Sequence, residues 1–323
     1  MRRPTAPSPA RRAFPILAAA LALAALAACA TAPTAAPTKP ARPAMDAVVS
    51  SAAQSCGCRM GIAARHLESG RSFFHNADEP FESASVIKIA LLTEAMDGVR
   101  QGSIDLDARW TLTAENKADG SGVLQLLDPG LAPTWNDLIT LMIGPSDNTA
   151  TNAWIERLGV DAVNAKMASL GFPGLKIYRP LPSLTSASAE PSPWSGLKFG
   201  SVTPREVAAW MAQVAEGTLL DAESSRRIFA YLDKDPSRLR IARRFPPADL
   251  WAGKTGTMSG VRNDSGILRT KKGRFVIAIF TDGSRAEGGG PADHPSVLAI
   301  AAVSRAIVDA WSAELPDVTD KPK

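Results

Sequence analysis

The stretch Ser85-Val86-Ile87-Lys88, continued by Ile89-Ala90-Leu91-Leu92 and Ala95-Met96, sets a hydroxyl and an amine three residues apart at the head of an apolar segment. A segment apolar on nearly every side reads as a helix buried in the middle of a domain, and on a helix positions i and i+3 share a face. A serine hydroxyl is a weak nucleophile until a neighbouring base takes its proton, and an ammonium withdrawn from water loses pKa until it can act as that base. Ser85 is therefore a candidate nucleophile near a helix N-terminus, where backbone N–H groups favour negative charge, and Lys88 is its candidate base. Ser-x-x-Lys alone arises by chance about once in a chain of this length, so the pair needs support from elsewhere.

Around this segment the chain is ordinary for a globular protein of one large or two interleaved domains: 323 residues, 45% hydrophobic and 21% charged. Arg2, Arg3, Arg11 and Arg12 precede an Ala/Leu/Ile run from Phe14 to Ala28. A basic start and an apolar run this short read as an export signal over residues 1–28. Lys+Arg number 36 and Asp+Glu 32; removing those four arginines leaves 32 against 32, so the basic balance belongs to the signal and suggests no nucleic-acid partner. Residues 29–44, rich in Pro, Thr and Ala, read as an extended tether. Cys56 and Cys58 flank Gly57. Two residues apart in a strand, they stand near the upper limit of disulfide reach, so a disulfide and two free thiols are equally open. The three histidines, His66, His75 and His294, show no paired spacing, so neither a metal nor a cofactor is expected.

Read in order, the chain gives a helix over 45–55, a hairpin of strands over 59–67 and 71–75, and the buried helix from Ser85 to about Gly98. Helices follow over 134–142, 149–158 and 161–170, opened by a capping-box-like Thr134/Asp137 and closed by Gly159 and Gly171. Residues 172–202, dense in Pro, Ser and Gly without a sustained period, read as one long functional loop. Thr203-Pro204-Arg205-Glu206 opens a helix to Glu216, and another spans about 221–232. Strands over 250–255, 263–268 and 274–280 precede a last helix, 295–311. Both chain ends then build one sheet-and-helix part (about 45–80 and 235–315), the middle builds a helical lobe (about 81–234), residues 316–323 are a tail, and a site between the lobes is expected.

Two further motifs change the odds on Ser85. Ser146-Asp147-Asn148 lies between predicted helices of the lobe, and Lys254-Thr255-Gly256 lies on the first late strand. Each tripeptide has a chance frequency of roughly 0.05 to 0.07 per chain, so both together come to a few in a thousand. Ser-x-x-Lys, Ser-Asp-Asn and Lys-Thr-Gly in this order resemble the penicillin-recognising serine hydrolases, and class A β-lactamases in particular. Gly120 to Leu124, Ser146 to Asn152, Arg157-Leu158-Gly159, Thr203-Pro204 and Asn263-Asp264 extend the likeness over about residues 45–313.

The resemblance implies an α/β (α+β) fold, an antiparallel sheet flanked by helices plus a helical lobe. It implies that Ser85 is acylated, that Lys88 accepts its proton, and that the N–H groups of Ser85 and Thr257 hold the oxyanion. Ser146, assisted by Lys254, would protonate the leaving nitrogen. Asn148 would hold the substrate's amide, and Thr255, Gly256 and Thr257, with Arg262 adding a charge, its carboxylate end. Asp147 reads as a structural carboxylate. The implied substrate is a β-lactam, with a cell-wall peptide or small ester as alternative. Leu26-Ala27-Ala28-Cys29 resembles a bacterial lipobox, which implies a lipidated Cys29 holding the protein to a membrane on the periplasmic side. A monomer is expected.

One departure stands out. The family carries Arg-x-Glu-Pro-x-Leu-Asn in its long loop, the glutamate activating the water that releases the acyl group; this chain reads Arg179-Pro180-Leu181-Pro182-Ser183-Leu184-Thr185. Leu181 replaces the base and Thr185 the asparagine. Glu190 is the sole acidic residue between Arg179 and Thr203, available as a substitute base or as a partner for Arg179. Efficient acylation with slow release is therefore the expectation, and a lipid-anchored penicillin-binding or sensor protein is the alternative from outside the enzymes.

Overall fold

In chain order, helix α1 (Arg42–Cys56) leads into strands β1 (Arg59–His66), β2 (Ser72–His75) and β3 (Phe81–Glu82), a 3-10 turn (Ala84–Ile87) and helix α2 (Lys88–Arg100). Helices α3 (Trp135–Ile143), α4 (Asn148–Leu158) and α5 (Val160–Ser169) follow, then strands β4 (Lys176–Ile177) and β5 (Gly200–Val202) and helices α6 (Pro204–Glu216) and α7 (Ala222–Leu232). Strands β6 (Leu250–Met258), β7 (Val261–Thr270) and β8 (Gly273–Asp282) and helix α8 (Pro295–Ser312) complete the chain. The structure is a computed structural model and describes residues 42–182, 199–235, 237–284 and 292–318. The signal, Cys29, Ser183 to Thr185 and Glu190 lie outside the described residues. Arg42 to Ala44, read from sequence as tether, belong to α1.

The main sheet is antiparallel throughout, in the order β2-β1-β8-β7-β6. Its centre is apolar on both faces, because successive side chains of a strand point to opposite sides. Val276, Ala278 and Phe280 of β8 join one core, shared with α2 to α7, while Phe275, Ile277 and Ile279 join a second, covered by α1 and α8. Two chain ends thus meet in one sheet, with the helical lobe on one face, as the sequence implies.

Helix ends follow from local chemistry. Thr134 and Asp137 form a complete reciprocal capping box; Thr203 accepts from the N–H of Glu206 ahead of Pro204, and Gly217 closes α6 in the left-handed region. Two expectations change. The stretch 172–202 is not uniformly loop: Lys176–Ile177 and Gly200–Val202 pair with Phe81–Glu82 in a small sheet ordered β3-β5-β4, strands too short to show a period. Ser85 lies in the 3-10 turn ahead of α2 rather than at the helix N-terminus. Cys56 and Cys58 are joined in a disulfide, their Cα atoms 5.2 Å apart, because Cys56 ends a helix and Gly57 turns the chain at φ +56°.

Candidate active site

Ser85 stands half-buried in the turn Ala84–Ile87, which opens on a non-glycine residue, Ala84, held at φ +42°. Such left-handed backbone in a residue with a Cβ costs energy and persists where surrounding contacts impose it. The N–H of Lys88 donates to the carbonyl of Ser85, and in 3-10 geometry side chains three apart eclipse. Lys88 thus rises on the same side as Ser85 and enters the interior, where it is fully buried.

Lys88 Nζ meets three acceptors: Ser146 O at 2.7 Å, Ser146 Oγ at 3.1 Å and Asn148 Oδ1 at 2.9 Å. Burial, and then the charge of Lys254, hold the Lys88 amine well below its ordinary pKa, with Asp147 opposing. In the neutral form two N–H groups serve the two carbonyl-type oxygens, leaving the lone pair toward the Ser146 hydroxyl. Ser146 itself stands at φ +59°, the second strained residue of the site.

Asp147 builds the frame beneath. Its carboxylate N-caps α4 through Ala150 N (2.9 Å) and accepts from Val123 N (2.7 Å) and Leu124 N (2.9 Å). A Cβ on Gly122, at φ +107°, would come within 2.3 Å of the Asp147 side chain, so only glycine permits this approach. Asp147→Ala leaves three N–H groups, two of them buried, without acceptor and is expected to lower the unfolding free energy by about 3 kcal/mol, read from urea melts.

The third motif lies on the edge strand β6. Gly256 passes so close to the nucleophile turn that an added Cβ would sit 2.8 Å from Ser83 O and 3.2 Å from Ala84 Cβ. Thr257, the next residue, is exposed beside that turn. Lys254 is fully buried, its Nζ donating to Thr255 O at 3.1 Å; burial lowers its pKa, opposed chiefly by Asp235. The Thr255 hydroxyl faces Asp235 Oδ2 at 3.4 Å, a long contact.

Two side chains given no role in the sequence reading, Arg240 and Asn152, complete the picture. Arg240, nearly fully buried, donates through Nη1 to Gly256 O and Asn263 O and through Nη2 to Thr257 Oγ1 at 2.5 Å. Arg262, expected there, instead caps the carbonyls of Met258 and Val261 at 2.7 and 2.8 Å. Nothing local in Arg238-Leu239-Arg240 marks the third residue, which reaches the site only through tertiary packing. Asn152 had a signal: it lies one turn after Asn148 on the same face of α4. Its amide exchanges two hydrogen bonds with the backbone of Leu181, each 2.9 Å. Asp119 N donates to Pro182 O at 3.1 Å while Asp119 O accepts from Asn148 Nδ2 at 2.7 Å. Leu181 is thereby tied to the frame that holds Asn148 and Lys88, and its side chain packs, partly buried, on the lobe core.

The family model of the β-lactamase enzyme family matches residues 41–311. The chain belongs to that family. It is similar to a β-lactamase of Streptomyces lavendulae, 30% identical over 257 residues, covering 77% of this chain and 82% of the relative. Among solved structures it resembles the β-lactamase of Sphaerobacter thermophilus, with TM-score 0.73, 35% identity, and coverage of 84% and 98% of the two chains. It shares its fold with PBP-A, solved as a leucine-to-glutamate variant in an acyl-enzyme complex with penicillin G, with TM-score 0.72, 24% identity, and coverage of 83% and 96%. This is a penicillin-recognising serine hydrolase of β-lactamase type. Among its described residues no group of three or more His, Cys, Asp or Glu side chains is placed to hold a metal ion.

Proposed function

We propose that the protein opens β-lactam rings by acylation of Ser85 and releases the acyl group slowly. The observation that carries this is the Lys88 network: a buried amine of lowered pKa, one turn from Ser85 and bonded to Ser146 and Asn148. In the proposed sequence Lys88 Nζ takes the Ser85 Oγ proton as Oγ attacks the lactam carbonyl carbon. The N–H groups of Ser85 and Thr257 hold the oxyanion. The C–N bond then breaks and the nitrogen receives a proton through Ser146, beside Lys254. Asn148 Nδ2 orients the substrate amide, while Arg240, Thr255 and Thr257 receive its anionic end. Water must finally cleave the ester, and Leu181 supplies no base for that step.

Intact-protein mass followed against time after adding a penicillin tests the reading. A slowly lost adduct of one penicillin supports it, and absence of any adduct overturns it. The second reading, a penicillin-binding or sensor protein without efficient turnover, is favoured by Leu181 itself and would show as an adduct that is not lost. A peptidase or esterase acting on cell-wall peptides shares the acylation machinery and would show turnover of D-Ala peptides.

Export and anchoring belong to the same proposal. Leu26-Ala27-Ala28-Cys29 after an apolar run supports a lipidated Cys29 at a bacterial membrane, the domain facing the periplasm as a monomer. Among the described residues no helix is long and apolar enough to cross a membrane. Cys29→Ser should move the protein from the membrane fraction to the soluble one; wild type already soluble in the envelope would refute the anchor.

A further inference from the structure

Asp264 lies on β7 directly across from Thr255 of β6 and is almost wholly buried. Its Oδ2 accepts from Ile241 N at 2.9 Å, and its Oδ1 is buried without a partner among the described residues. The Ile241 carbonyl accepts from Ser304 Oγ of α8 at 3.0 Å. Ile241, the residue that follows Arg240, is therefore held through its N–H by Asp264 and through its carbonyl by α8.

The charged groups acting on Asp264 are few. Arg240 and Asp235 both act on its carboxyl, and Lys254 on β6 and Arg262 on its own strand belong to the same electrostatic cluster. β8 presents only Ile279 opposite it, and α8 contributes the neutral Ser304. The pocket proper holds two cations, Lys254 and Arg240, against two carboxylates, Asp235 and Asp264. All four are buried, so the charge of one member is poorly screened.

We propose that Asp264 is a positioning and specificity-determining residue, which fixes Arg240 and sets the net charge of the pocket receiving the substrate's anionic group. The inference rests on the reading above that such a group enters beside Lys254 and Thr257. With Asp264 ionised the four groups sum to zero; with it protonated they sum to +1. Burial pushes the Asp264 carboxyl up to about 7, with Asp235 adding to the rise and Arg240 and the backbone N–H groups of Ile241 and Ser265 opposing it. The pocket gains its positive charge as pH falls through that value, so anionic substrates bind more tightly on the acid side and lose affinity as pH rises.

The test uses the full chain carrying Ser85→Ala, so that binding is read without acylation, with benzylpenicillin and its methyl ester titrated calorimetrically. The acid should weaken on the order of tenfold between about pH 5.5 and about pH 8.5, while the ester stays flat. Adding Asp264→Asn, neutral at every pH, should hold the acid at its low-pH affinity throughout. A gain of affinity at high pH is an outcome that misfolding does not produce. A pH-independent acid in the parent, or the same pH step surviving Asp264→Asn and so belonging to Lys88 or Lys254, overturns the inference. No binding of either ligand at any pH overturns the substrate reading and the inference with it.

Discussion

Ser85→Ala is expected to abolish covalent labelling by a penicillin, and Lys88→Ala to slow it about 100- to 10,000-fold at neutral pH, the usual contribution of a positioned general base. Lys88 is fully buried among neutral acceptors, and burial together with Lys254 lowers its pKa. The base is competent only when neutral. Acylation should therefore fall as pH drops through that lowered pKa and persist on the alkaline side. Lys88→Arg, charged at all accessible pH, should be as slow as the alanine variant, since it cannot accept a proton. Stopped-flow acylation across pH measures both effects. Labelling that survives Ser85→Ala would sink the nucleophile assignment.

The double change Leu181→Glu, Thr185→Asn is expected to accelerate loss of the penicillin adduct by about 100- to 10,000-fold while leaving acylation nearly unchanged. Asn152 fixes the Leu181 backbone through both its N–H and its carbonyl, so a glutamate there inherits a held position. The lost apolar packing costs about 1–2 kcal/mol, which a melt would register. If unmodified protein already turns over penicillin rapidly, and Glu190→Gln leaves that rate unchanged, the base lies elsewhere and the register of the loop is wrong.

Much of this was legible in the sequence because it is local. Caps at Thr134 and Thr203 and the glycine stops after α4 and α6 all act within a few residues. Legibility ended where long-range contact decides. Arg240 becomes part of the site only because β6 and β7 pair Gly256 with Asn263, giving its guanidinium two carbonyls to bridge. The strands β3 and β5 exist because Phe81 and Val202 meet across a long separation in sequence. Treating Cys56-Gly57-Cys58 as extended chain left the disulfide open; the helix end shortens the span to 5.2 Å.

The position of β1 bears on how the chain reaches this fold. β1 pairs with β8, Arg59 opposite Asp282, two residues also joined through their side chains at a separation of 223. The first strand made is therefore among the last to find its central neighbour, and the sheet cannot close until nearly the whole polypeptide is available. Such distant pairing slows folding, because loop closure must precede the contacts that reward it. During synthesis the amino-terminal hairpin has only itself to pair with, and a lone hairpin is marginal in water. A chain of this layout is expected to stay loosely structured while it lengthens, which is the state that the export proposed above would need.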